Sequence, residues 1–286
     1  MTSFHQAPAI YTGAVYLNVL DPQAMKAFYT DILGFRVLSE TDGRIELTAD
    51  GKTPLLVLES REGLHAKRPN RAGLYHFAIL LPSREDLGAA ILHFIQKGVR
   101  IGASDHYVSE ALYLNDPEGN GIEVYRDRPA DEWNWNDGQV EMATVALDGD
   151  GVVRSAQEAG RTWSGLPDET VMGHVHLHVS NLAETERYYR EGLGFEVATY
   201  YPGALFMSTE RYHHHLGLNV WNGEGIPAQE TDSAGLKAYT LVFPDSEAVQ
   251  KAAEQLQSIG AEVNEDGGHT VTADPSGNRI ILQAGA

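Results

Sequence analysis

A chain of 286 residues, 42% hydrophobic and 21% charged, has the length of about two ordinary domains and enough apolar content to give each a core. It contains no cysteine, which excludes disulfide scaffolds, thiolate metal sites and redox thiol chemistry, so any metal falls to the 12 histidines and some of the 40 carboxylates. A formal net charge of -19 repels phosphate backbones and anionic bilayers; with no long apolar run and no basic or apolar leader in MTSFHQAPAI, neither nucleic acid nor a membrane is expected as a partner, and the chain reads as cytoplasmic.

The first predicted element is a strand, AVYLNVLD (14–21). A helix then opens at Asp21-Pro22, a capping residue followed by Pro at the first helical position. It carries Met25, Phe28, Tyr29, Ile32 and Leu33 on one face and stops at Gly34. After further strands, GLYHFAILLP (73–82) leads to a second helix from Ser83, with Asp86 three residues on as in a capping box. This helix places Leu87, Ile91, Phe94 and Ile95 on one face before Gly98. DPEGNGIEVY (116–125) reads as a turn and a last strand. Residues 128–169 break the pattern with the turn-rich strings DEWNWNDG, DGDG and SGLPDE, and read as a connecting segment with one short helix near Val152–Gly160. Trp133 and Trp135 are expected to pin that segment to the domain surfaces.

The chain then repeats itself. HVHLHVSN (174–181) answers residues 14–21, GLKAYTLVFP (235–244) answers 73–82, and DPSGNRIILQ (274–283) answers 116–125, at offsets of 160, 162 and 158 residues. A third helix runs from Asn181 through Tyr188, Tyr189 and Leu193 to Gly194, and a fourth from Asp245 through Val249, Leu256 and Ile259 to Gly260. The pattern predicts an α+β fold of four βαβββ modules in two tandem domains, residues 1–127 and 170–286.

Repetition lets equivalent positions be compared within the one chain. Seven residues before each helix cap, at the predicted start of each first strand, stand Ala14, His76, His174 and Ala238; seven residues after the Asp of each Asp-Pro turn stand Glu123 and Ile281. Two histidines and one carboxylate at equivalent strand positions have the composition of a facial triad. Such a triad leaves octahedral positions open and favours Fe(II), with Mn(II) as the alternative. Strand alternation puts His176 and His178 on the face of His174, towards a cleft, while Val175, Leu177 and Val179 turn to the helices.

The βαβββ repeat, with these histidines and this glutamate, resembles the vicinal oxygen chelate superfamily over nearly the whole chain outside the connection. The string His106, Leu112-Tyr113, Asp116-Pro117-Glu118-Gly119, Glu123 resembles the signature of extradiol ring-cleaving dioxygenases, and Ser104 departs from it. The resemblance implies open half-barrel sheets with flanking helices, and cleavage of a catechol by O2 beside its diol to a 2-hydroxymuconic semialdehyde. It further implies metal ligation by His76, Glu123 and His174, an acid–base role for His214, and substrate contacts from Tyr113 and His106; His176 is added as a substrate contact. The flanking His213 and His215 read as an exposed turn, and His5, His65, His93 and His269 as surface or helix-face residues.

The usual arrangement of that enzyme group cannot be built here, because the fourth module offers only Ala238 and Ile281 and the first only Ala14. Modules two and three alone supply all three ligands. They are therefore expected to pair across the two halves, either within one chain or between the chains of a homo-oligomer. A glyoxalase-like isomerase or transferase is the rival enzyme, but the register at which it would bring a further carboxylate falls near Gly217. A metal-free small-molecule binding protein of the same fold is the rival outside enzymes.

Overall fold

The structure is a computed structural model that describes residues 4–285. The first module comprises β1 (Tyr11–Asn18), α1 (Pro22–Asp31), β2 (Arg36–Thr41), β3 (Arg44–Thr48) and β4 (Pro54–Glu59). The second comprises β5 (Gly73–Leu80), α2 (Arg84–Gln96), β6 (Gly102–Asp105), β7 (Ser109–Asn115) and β8 (Gly121–Asp127). The connection holds a short hairpin, β9 (Trp135–Asn136) and β10 (Gln139–Val140), and α3 (Gly149–Glu158). The third module has β11 (Val171–His178), α4 (Leu182–Arg187) prolonged by a π turn to Gly192, β12 (Glu196–Tyr201), β13 (Ala204–Ser208) and β14 (Leu216–Asn219). The fourth has β15 (Gly235–Phe243), α5 (Ser246–Ser258), β16 (Val263–Asp266), β17 (His269–Ala273) and β18 (Arg279–Ala284).

All four module helices start where capping chemistry places them. Asp21, Ser83, Asn181 and Asp245 each accept a hydrogen bond from the backbone N–H three residues on. On α2 the buried face is Leu87, Ile91 and Phe94, whereas Ile95, expected beside them, is 64% exposed. It stands one residue, about 100°, further round the helix.

Two eight-stranded sheets result. One runs β12-β13-β14-β11-β5-β8-β7-β6 and the other β16-β17-β18-β15-β1-β4-β3-β2. Modules two and three therefore share a sheet within a single chain, joined by antiparallel β5 and β11, and modules one and four share the other through β1 and β15. Helix contacts tie the sheets together in the opposite sense. Tyr29 of α1 donates to Asp116 Oδ2 in the second module at 2.7 Å, and its equivalent Tyr189 lies 3.3 Å from Asp274 Oδ2 in the fourth. The main core, including Tyr29, Phe77, Tyr189 and Phe243, is buried between sheets and helices. Trp133 is buried against Phe4, Tyr212 and His213, and Arg211 lies over Trp135, so both tryptophans fasten the connection.

Candidate metal centre

The central pair β5–β11 carries an irregularity at each end of its site region. His176 pairs with His76 but Leu177 with Leu74, so Tyr75 is an extra residue; Met172 pairs with Ile79 but His174 with Ala78, so Gly173 is another. Such bulges re-aim side chains. The first turns both Tyr75 and His76 to the same cavity, which simple alternation forbids. At the second, a Cβ on Gly173 would stand 1.9 Å from the Tyr125 hydroxyl, so only glycine fits. Because β5 begins at Gly73 and β11 at Val171, His76 and His174 sit fourth in their strands rather than at the strand starts.

His76 Nε2 and His174 Nε2 lie 3.0 and 3.2 Å from Glu123 Oε2 and 3.4 Å from each other. These edges match the ~3.0–3.4 Å separating neighbouring ligand atoms around an ion bound at ~2.1 Å. The three side chains are buried. Burial lowers His174 to about 4 against the pull of Glu123, leaving a neutral imidazole with a lone pair to give. Burial would raise Glu123, but His174 and His76 outweigh it and hold the carboxylate well below its usual range. A carboxylate and two imidazoles are a donor set that suits a divalent first-row ion.

Gly217 stands where a fourth candidate ligand would be sought. It pairs with His176 in the parallel ladder of β11 and β14, the register at which Glu123 pairs with Ala78 between β5 and β8. A Cβ there would approach His176 Cγ to 2.7 Å. The His176 ring occupies the place from which a further carboxylate would reach the centre.

A cavity of about 290 Å³ opens from His76 and Glu123, at the small end of the usual ligand range of ~300–1,000 Å³. Its inner wall holds His106, Tyr113, His214, His176 and Phe206. Tyr113 pairs across strands with Glu123, and its hydroxyl lies 2.6 Å from His106 Nε2, while His106 Nδ1 is 2.6 Å from the Ala143 carbonyl. Burial, then Glu123, push the Tyr113 phenol well above its ordinary range. His214 lies over His174 with ring centroids 4.1 Å apart, and burial followed by its histidine neighbours pushes it well below the normal histidine value. The outer wall is aromatic, built from Tyr75, Tyr201 and Trp221.

The structure thus gathers His76, Glu123, His106, Tyr113, His176 and His214 around one cavity, with His174 buried behind its lining against Glu123, His76 and His214. His178 sits nearby, 2.7 Å from Asn219 Oδ1. The turn reading of His213 and His215 is corrected: all three residues of the triplet are buried, His213 against Asp127 and His215 against the Phe4 carbonyl. His5 is likewise buried, 2.9 Å from the Gly173 carbonyl, because the N-terminal segment packs over β11. His93 does lie on a helix face, stacked on Trp163, and His269 is exposed. Missed altogether was the contribution of the connection, whose Met142, Ala143 and Thr144 wall the cavity. No local pattern marks them. Tyr75 could have been suspected only from the bulge.

Among proteins of known kind, the chain is 43% identical over 286 residues to the catechol-2,3-dioxygenase of Bacillus subtilis (strain 168), covering 98% of this chain and 99% of that one. In fold it is similar to a crystal structure from Bacillus subtilis subsp. subtilis (TM-score 0.68, 12% identity, 96% and 85% of the two chains). It is also similar to glyoxalase I from Zea mays (TM-score 0.57, 15% identity, 96% and 92%). The profile of the Glyoxalase/Bleomycin resistance protein/Dioxygenase superfamily matches residues 11–124 and 171–282. With both halves matched and a full-length relative at that identity, the chain belongs to the Glyoxalase/Bleomycin resistance protein/Dioxygenase superfamily.

Proposed function

We propose that the protein is a catechol 2,3-dioxygenase, cleaving a catechol with O2 beside the diol to give a 2-hydroxymuconic semialdehyde at a mononuclear Fe(II) held by His76, Glu123 and His174. The observation that carries this reading is the convergence of those three side-chain atoms within 3.4 Å of one another, with His76 and Glu123 lining a small aromatic cavity. Gly217 keeps the number of protein ligands at three. The full-length likeness to a catechol-2,3-dioxygenase supports the same chemistry.

When bound there, ferrous iron supplies Lewis acidity to the catechol hydroxyls and electronic coupling between the ring and O2. The chain's own groups do the rest. His214, kept neutral by burial, is placed to take a proton from a substrate hydroxyl and return it later. Tyr113, kept protonated, holds a hydrogen bond with His106 that presents both groups to a substrate oxygen. Phe206 and His176 line the cavity that would take the ring, and the partly exposed Tyr75, Tyr201 and Trp221 would restrict water at its mouth.

Anaerobic loading with Fe(II), followed by catechol and air, tests the proposal. Stoichiometric O2 uptake with appearance of a yellow semialdehyde is the expected result; no O2 uptake with any catechol tried would overturn it. The isomerase alternative requires turnover without O2, and the binding-protein alternative requires no metal at all.

A further inference from the structure

Behind His214 lies a chain of polar groups, buried at His213 and part-buried at Asp127, that the proposed reaction does not use. Asp127 Oδ1, at the end of β8, is 2.8 Å from His213 Nε2, and His213 Nδ1 is 2.7 Å from His214 Nδ1. His213 is fully buried, with the Tyr212 ring centroid 4.1 Å and the Trp133 centroid 5.1 Å away. The Tyr212 hydroxyl lies 3.3 Å from the same Asp127 oxygen and 2.8 Å from the Tyr125 hydroxyl, so the carboxylate is held from two sides.

Hydrogen-bond arithmetic orders the protons. A carboxylate only accepts, so His213 Nε2 carries the N–H. Where the His213 ring carries a single proton, that proton is spent on Asp127 and its Nδ1 offers a lone pair. The short contact with His214 Nδ1 therefore needs the proton on His214 Nδ1, which leaves His214 Nε2 bare. His214 lines the cavity.

We propose that Asp127 and His213 are positioning residues that fix His214 in its Nδ1–H tautomer, so that its Nε2 faces the substrate as an acceptor and not as a donor. This rests on the catechol reading for its purpose, though not for its proton order. When a substrate hydroxyl gives up its proton, the O–H bond breaks, its electron pair stays on oxygen, and the N–H bond forms at His214 Nε2. The imidazolium charge is balanced by Asp127 through His213, and the proton leaves by the same nitrogen later in the cycle.

Nitrogen NMR of zinc-loaded protein carrying 15N-histidine reads the tautomer without any turnover. The expected spectrum shows His214 with a protonated Nδ1 and a lone-pair Nε2; a proton on Nε2 in the wild type overturns the proposal. In Asp127→Asn the side-chain amide can donate to His213 Nε2 and invert the order. The His214 signals should then exchange character, and kcat should fall roughly 10²-fold with KM and iron content unchanged. Asp127→Glu should recover most of that loss. An Asp127→Asn enzyme with unaltered tautomer and kcat refutes the idea. Absence of turnover in the wild type would sink the catechol reading while leaving the tautomer assignment to stand or fall on the spectrum.

Discussion

The two sheets share a backbone plan and differ in what is hung on it. Each has a bulge on the strand joining its modules, with Tyr75 as the extra residue in one and Lys237 in the other. Gly13 answers Gly173, and in both a Cβ would collide with a neighbour. Where one sheet has His76, His174 and Glu123, the other has Ala238, Ala14 and Ile281. Where one has Phe206 and Asn219 beside Gly217, the other has Glu46 and Glu59 beside Val57. Arg44 bridges Glu46 at 2.9 Å and Glu59 at 2.6 Å and lies over Tyr16, the counterpart of His176, while Lys237 pairs with Glu59. The comparison teaches that the bulged sheet is the scaffold and that a handful of side chains decides between a proposed divalent-ion cradle and a self-neutralised salt network.

Changes in the first sheet should therefore be costly to function and changes in the second nearly silent. The largest effect is expected for His174→Ala. It removes one of the three proposed ligands, so bound metal and O2 uptake should both be lost; a variant that keeps its iron would break the distinction between the sheets. Next comes Gly217→Ala, whose added methyl displaces the His176 ring. Overpacking of this kind costs about 1–3 kcal/mol in denaturant melts, and kcat/KM should drop roughly tenfold. Arg44→Ala, in the other sheet, should cost no more than about 1 kcal/mol because its partners are part-exposed and screened, with kcat and metal content unchanged. The smallest signal is its pH dependence. Arg44 holds Glu46 below its ordinary value of 4.5, so the pair contributes stability above that value and loses it as pH falls through the lowered one. The melting difference between wild type and Arg44→Ala should hence shrink in acid. A difference that grew below pH 4 would show the sign to be wrong.

Much of this was legible in the sequence because the chain aligns with itself. Counting from helix caps located His76 and His174, and counting from the Asp-Pro turns located Glu123; their pairing across the halves followed because no other modules supply three ligands. His214, Tyr113 and His106 needed family resemblance, since nothing local distinguishes a cavity histidine from one in a turn. What stayed hidden has two physical causes. Period-two alternation fails at a bulge, which concealed Tyr75. Burial of the His213 and His215 rings depends on partners far off in the chain, Asp127 and the Phe4 carbonyl, as does the cavity wall built by Met142 to Thr144.

The central claim is that one sheet builds a metal centre and its twin does not. Metal analysis after anaerobic loading with Fe(II) and removal of excess ion tests it most directly. One equivalent of iron per chain, abolished in His174→Ala and retained in Arg44→Ala, is the predicted result. Two equivalents, none, or iron that survives loss of His174 would contradict it.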